Sequence, residues 1–375
     1  MKKLIICLIT VICAAALLSG CSAFDNEYIV INNYEPAVGE SGPSDGKITV
    51  KNFAALKQAL LNMAYAGRTE GTIAFDTAYD GDTTEDMASA CWTVRTQDAL
   101  CAYCVENIAY ELNKIVTINE ATVYISYSAS TESAENISRI SFSTGIDNVL
   151  INAMGNGIKR FAVLVGHSEY SAEDMAKEVV NVYREIPTVV PVEPLASVNM
   201  YSGNGTQRLY EISINYGMNE DEMDERMAQL RAVDAFTDLD TEDLSGAQRA
   251  YEALKYLEKN CTVSTDGREN NAYSALIGGS ANSEGLAFAY VVLCRQLNLD
   301  CQIVYGQLAW EEHCWNVVKV DGNYYHVDVS AAIGEDGNPE NSFLVSDEQF
   351  WGNYRWDVAS YPKCVGELNY SDVVF

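Results

Sequence analysis

From Ile48 onward the apolar positions recur with periods that change from stretch to stretch. Phe53-Ala-Ala-Leu-Lys-Gln-Ala-Leu-Leu-Asn-Met carries them at helical spacing, whereas Thr72-Ile-Ala-Phe-Asp-Thr-Ala-Tyr alternates as a strand does. Asp98 to Ile115 reads as a second helix. Val123-Tyr-Ile-Ser-Tyr and Ile140-Ser-Phe-Ser read as strands, and Phe161-Ala-Val-Leu-Val as a buried one. Ser171-Ala172-Glu173-Asp174 resembles a capping box that opens a helix to about Tyr183. Farther on, Leu209-Tyr-Glu-Ile-Ser-Ile-Asn-Tyr reads as a strand, followed from Asn219 by a strongly acidic helix. This strand-then-helix unit echoes residues 161–183 without amounting to a repeat. Asp243 to Leu257 has the spacing of another amphipathic helix.

The last third is the most sharply patterned. Residues 284–297 hold no proline and one glycine, and Leu286 to Leu293 is an unbroken apolar run. This predicts a mostly buried helix ending near Asn298, a residue suited to a left-handed cap. Asp321-Gly322 is a two-residue hairpin signal between Cys314–Val320 and Asn323–Val329. Pairing across that turn sets Trp315 opposite Asp328 and His313 opposite Ser330. His313 and Asp328 then become diagonal neighbours on one face, within side-chain reach.

Three prolines, Pro187, Pro191 and Pro194, form the densest cluster of breakers, and a domain boundary is expected there. Residues 47–190 are then an N-terminal α/β or α+β domain, and residues 195–375 a second domain. Before them, Lys2 and Lys3 precede an apolar run from Leu4 to Leu18, so residues 1–20 read as an export signal. Leu18-Ser19-Gly20-Cys21 resembles a bacterial lipobox. That resemblance implies lipidation of Cys21; plain signal cleavage is the alternative. Residues 21–46, with Pro36, Pro43 and many polar positions, read as a flexible tether. The expected location is therefore the outer side of a cell membrane, held by acyl chains.

The charge narrows the partners. The chain carries −29, and removal of residues 1–20 takes two lysines and no acid, leaving 22 basic against 53 acidic residues, or −31. Such a surface repels phosphate backbones and anionic lipid head groups, which argues against nucleic acid and leaves the anchor to hold the membrane. Eight cysteines remain after Cys7, Cys13 and Cys21. Export permits them to pair, but several suit small buried positions equally well.

The chemistry gathers in three short stretches: Asn282-Ser283-Glu284-Gly285-Leu286-Ala287, His313-Cys314-Trp315-Asn316 and Tyr325-His326-Val327-Asp328. In order and spacing they resemble the transglutaminase-like superfamily, over roughly residues 241–349. That resemblance implies a papain-like α+β fold, with a nucleophile-bearing helix packed on an antiparallel sheet that carries His and Asp. It also implies a Cys–His–Asp triad for peptide hydrolysis, amide transfer or crosslinking. The family's cysteine falls on Ser283, with His313 and Asp328 in the other two positions and Trp315 and Asn316 as supporting residues. The family's tyrosine after the glycine is Leu286 here.

A helix N-terminus lowers a thiol's pKa, but a hydroxyl lies too high to be ionised by the dipole alone and needs a well-placed base. Ser283 could instead serve only to cap its helix. Neither core cysteine can take its place. Cys314 alternates onto the opposite face from His313, and Cys294 lies about 16 Å along the helix from Ser283. His326 reads as a packing residue behind the pair. A metal held by His313, His326 and Asp328 would match no ligand spacing known for metals, and no cofactor is expected. Two readings follow. One is a surface lipoprotein with a degenerate domain that binds a peptide, protein or cell-wall ligand. The other is a hydrolase or acyltransferase working through Ser283, His313 and Asp328. It is also open that the N-terminal domain carries the function.

Overall fold

The computed structural model describes residues 47–115, 118–128, 137–188, 195–241 and 243–374. The export signal, Cys21 and the tether lie outside them. Strand β1 (Lys47–Asn52), helix α1 (Phe53–Tyr65), β2 (Glu70–Asp80), α2 (Thr83–Gln97), the short α3 (Ala99–Cys104), β3 (Val105–Ile115) and β4 (Ile118–Tyr127) form a first unit. Its sheet runs β1-β2-β4-β3, with β1 parallel to β2 and the other pairs antiparallel. Leu56, Leu60 and Met63 of α1 and Met87 and Val94 of α2 bury their apolar stripes against Ile73, Phe75, Val123 and Ile125.

The second unit repeats this plan. It consists of β5 (Ser138–Phe142), α4 (Ile146–Gly155), β6 (Arg160–His167), α5 (Ala172–Glu185), β7 (Ala196–Ser202) and β8 (Arg208–Ile214). Its sheet runs β5-β6-β8-β7 with the same senses of pairing. The duplication leaves a trace in the chain. Glu85-Asp86-Met87-Ala88 and Glu173-Asp174-Met175-Ala176 open the second helix of each unit, and Met87 and Met175 are both fully buried. Asp82 and Ser171 cap those helices, three residues before the shared stretch in the first unit and two before it in the second.

Two expectations are corrected here. The stretch from Asp98 to Ile115 is helical only as far as Cys104. From Ile108 its apolar residues alternate at period two (Ile108, Tyr110, Leu112), and pairing with β4 makes it strand β3. A repeat is present between 47–127 and 138–214, and the echo of 161–183 by the strand at 209 is, as read, not one. The prolines expected to mark a domain boundary fall between α5 and β7, yet β7 and β8 join the sheet of β6. The second sheet therefore spans the stretch where a boundary was drawn.

The third unit follows α6 (Glu220–Arg231). Helix α7 (Gly246–Asn260), the two-residue strands β9 (Thr262–Val263) and β10 (Ser280–Ala281), and the short α8 (Ala272–Leu276) lead to α9 (Ser283–Gln296). Then come β11 (Cys301–Leu308), β12 (Glu311–Val320), β13 (Asn323–Val327), α10 (Val329–Ile333), β14 (Phe343–Val345), α11 (Asp347–Phe350) and β15 (Tyr354–Trp356). The five-stranded sheet runs β14-β13-β12-β11-β15 and is antiparallel throughout. Every residue of α9 from Gly285 to Cys294 is buried, as befits a helix that is apolar all round and enclosed between layers. It packs on the sheet face of Val318, Val320 and Val327. The opposite face carries Trp315, Val317, Val345, Phe350 and Tyr354. This is the α+β, papain-like arrangement of one helix on an antiparallel sheet. Asn298 does take the left-handed conformation, at φ 54°. All eight cysteines of the described residues are free thiols.

Gly306 of β11 sits opposite both His313 and Trp356. A Cβ there would run into the Arg355 carbonyl oxygen and the Trp315 indole. Overpacking of this kind costs about 1–3 kcal/mol. Gly306→Ala is therefore expected to lower stability by about 2 kcal/mol in denaturant unfolding; an unchanged midpoint would mean that the sheet yields at this point.

Candidate active site

The candidate residues lie in two places, the start of α9 and the hairpin β12–β13. Asn282, not Ser283, caps the helix: its side-chain oxygen accepts the Gly285 N–H at 3.0 Å. Ser283 is the first helical residue and is half-buried. Among the described residues its hydroxyl has no hydrogen-bond partner, so the expected capping role passes to its neighbour. Gly285 lets the first turn lie against the preceding loop, because a Cβ there would sit 2.7 Å from the Glu269 carbonyl oxygen and 2.9 Å from Asn271 N. The same carbonyl accepts the Asn282 N–H at 2.9 Å.

The hairpin forms in the expected register, with Asn316 opposite Val327 and Val320 opposite Asn323. Asp321 and Gly322 make the turn at φ 49° and 92°, both left-handed as a two-residue turn of this type requires. Extending that register places Trp315 opposite Asp328, and His313 Nε2 meets Asp328 Oδ2 at 2.6 Å. The diagonal pair read from the turn is thus present.

Asp328 has no exposed surface. It accepts from the Ser330 hydroxyl at 2.7 Å, the Ala331 N–H at 3.0 Å and the Tyr354 hydroxyl at 2.9 Å, besides His313. Burial alone would raise its pKa. The hydrogen bond and charge of His313, then Ala331 and Ser330, outweigh that and hold it below the ordinary carboxylate value. Burial and the Asp328 charge push the Tyr354 hydroxyl well up, so it remains a donor. Ser330 and Tyr354 belong to no recognised motif and were not among the expected site residues.

Trp315 stacks near His313 with ring centroids 6.2 Å apart and 26° between planes. Asn316 points to the other face, where its amide donates to the Ala287 carbonyl at 3.0 Å. It therefore locks helix to strand, a supporting role exercised on α9 and not on the imidazole. That bond lies one turn along α9 from Ser283 and three residues along β12 from His313, and among the described residues no hydrogen bond joins Ser283 to His313. With Nε2 held by Asp328, Nδ1 is the nitrogen left to act as a base.

His326 is buried behind the pair. Its Nδ1 accepts the Trp315 indole N–H at 3.0 Å and its Nε2 meets Asp347 Oδ1 at 2.9 Å. Burial lowers its pKa, against the opposing pull of Asp347. The ligand atoms of His326, Asp347 and Cys364 lie within 4.8 Å of one another. An indole N–H only donates, however, so Nδ1 must keep its lone pair and Nε2 must carry the proton in the neutral ring. A metal at Nε2 would demand an imidazolate, and the trio does not fit one.

Cys314 faces away from His313, as alternation requires. Burial first, then Glu284, pushes its thiol well up, which makes it a poor nucleophile. Cys294 is fully buried.

Residues 231–329 match the family model of the Transglutaminase-like superfamily, a span that contains Ser283, His313 and Asp328. The chain therefore carries a transglutaminase-like domain. Among solved structures it is similar to a TGase at 11% identity and TM-score 0.22, over 57% of this chain and 64% of that one. A candidate cysteine protease from Cytophaga hutchinsonii follows at 12% identity and TM-score 0.23, over 38% and 65%. Menin, whose structure reveals a binding site for the Mixed Lineage Leukemia protein, shares 22% identity at TM-score 0.21, over 28% and 26%. The chain thus spans less than two thirds of each of these proteins. No curated protein matches it.

The depressed pKa of Asp328 fixes the sign of a pH effect. Its folded value lies below the unfolded one, near 4, so the stabilisation is complete above about pH 4 and is lost as pH falls below that. Asp328→Asn is expected to cost about 3 kcal/mol near neutrality, with the gap to wild type closing below about pH 4. Urea unfolding in steps between these conditions reads it; a gap independent of pH would exclude the ionised carboxylate as the source.

Proposed function

We propose that this chain, with its transglutaminase-like domain over residues 231–329, is an exported, lipid-anchored protein that binds a peptide, protein or cell-wall ligand in the cleft at the start of α9 without turning it over. The observation that carries this reading is the Ser283 hydroxyl. It stands first in the helix, where the family places a thiol, and hydrogen-bonds to no described residue, His313 included. A thiol in that position is drawn toward thiolate by the helix end. A hydroxyl gains little from the same field and needs a base bonded directly to it. The anchoring rests on Leu18-Ser19-Gly20-Cys21 and on the acidity of the chain, which leaves acyl chains as the means of holding a membrane. Among the described residues no helix is long and apolar enough to cross one.

A second reading, a hydrolase or acyltransferase using Ser283, draws on the completeness of the His313–Asp328 pair and its further donors. Serine triads are chemically sufficient on many folds.

Labelling separates the two. The purified chain, Ser283→Ala and Ser283→Cys are treated with a fluorophosphonate, an acyl ester and iodoacetamide. Under the binding reading the wild type stays unlabelled by fluorophosphonate. Ser283→Cys gains labelling by iodoacetamide that falls on the order of 100-fold when His313 is also replaced by alanine. Fluorophosphonate labelling of the wild type that vanishes in Ser283→Ala would move the assignment to the hydrolase.

A further inference from the structure

The hairpin between β11 and β12 turns on Ala309 and Trp310, at φ 51° and 74°. A two-residue turn of this hand needs positive φ at both positions, and asparagine, aspartate and glycine normally supply it. The neighbouring hairpin of the same sheet does so with Asp321-Gly322. A bulky side chain in the left-handed region is strained, so the tryptophan is held there against the preference of the backbone. Nor does burial explain it, since Trp310 is 70% exposed. Arg355 of β15 lays its guanidinium over one face of the indole, 3.1 Å from the ring centroid, which steadies the ring and leaves its other face free. Trp351 is 69% exposed and stands edge-on to Trp356 at 5.9 Å. Trp310 comes three residues before His313, and β15 also carries Tyr354, the donor to Asp328. Trp310 thus stands on the hairpin whose second strand carries His313, and Trp351 bridges to Tyr354, the donor to Asp328.

Their surroundings select a ligand chemistry. A lipid or an apolar protein face would call for a continuous apolar patch, but Glu311, Glu312, Arg355 and Asp357 are exposed between and beside the rings. A polyanion is opposed by the net charge of −29. The remaining match is a neutral molecule with a flat C–H face for an indole and a rim of hydroxyls for carboxylates and a guanidinium, which describes a pyranose ring. We propose that Trp310 and Trp351 form a saccharide platform that seats a neutral glycan beside His313 and Asp328. This rests on the binding reading above and names the class of its ligand.

The test is affinity electrophoresis of the full chain through gels containing hydroxyethylcellulose, glucomannan or glycol chitin, with tryptophan fluorescence titrated by cellotetraose and chitotetraose. Retardation by at least one polysaccharide is expected. Trp310→Gly and Trp351→Ala should each weaken it about tenfold, and replacement of the exposed Trp92 of the first unit by alanine should leave it unchanged. Trp310→Gly should also raise Tm, because glycine relieves the left-handed strain. Three results would overturn the platform: no retardation in any gel, retardation unaffected in both tryptophan variants, or a lower Tm for Trp310→Gly. Capture of a proline-rich or basic peptide with no glycan binding would overturn it too, while leaving the binding reading intact. A reactive Ser283 would instead defeat that reading itself.

Discussion

The carboxylate of Asp328 is the point on which this end of the molecule depends. It lies at the end of β13 with no exposed surface, and four donors from three places converge on it: His313 of β12, Ser330 and Ala331 of α10, and Tyr354 of β15. A buried carboxylate is tolerable only when it is fully paired. Each partner is therefore held by the same requirement that keeps the charge. The imidazole is fixed in orientation, the first turn of α10 is capped, and β15 is tied to the far strand through the Tyr354 hydroxyl. Beneath it, Trp315 fills the space between His313, His326, Phe350 and Tyr354. Its one polar atom donates to His326.

The start of α9 has its own set of contacts. Asn282 caps α9, Gly285 permits the close loop, and Asn316 bonds the Ala287 carbonyl from the sheet. These three fix where residue 283 stands, whatever atom it carries. The arrangement is therefore indifferent to the exchange of sulfur for oxygen in its geometry and sensitive to it in its acidity. A helix end shifts a thiol pKa into a useful range, whereas the same shift leaves a hydroxyl protonated.

Much of this site was legible because its signals are local. A two-residue turn sets a strand register, and that register brings His313 to Asp328. What escaped was remote or ambiguous. Tyr354 reaches Asp328 from 26 residues away with no motif around it. Asn282 and Ser283 are adjacent and both good caps, and only the path of the loop decides between them. Ala99–Cys104 looked like the opening of a long helix because Asp98 does cap it. Pairing with β4 then overrode the helical spacing. The duplicated units share little beyond Glu-Asp-Met-Ala, since a core fixes polarity and volume at each place and leaves the letters free.

The duplication bears on the site through its second copy. Helix α5 of that unit packs against α9, with Tyr183 and Phe288 5.0 Å apart between ring centroids. Arg295 near the end of α9 donates to the Glu185 carbonyl at 2.8 Å. Arg184 lies 3.7 Å over the ring of Tyr305, whose hydroxyl donates to Glu284 at 3.2 Å. The residue next to Ser283 is thus linked through β11 to a helix of the repeated unit. The first unit packs instead on the second sheet, whose Ala162, Leu164 and Leu209 join the core of its helices α1 and α2. Two copies of one plan therefore meet different demands. The first shares its core with the second sheet, and the second also supports the wall against which the start of α9 is held.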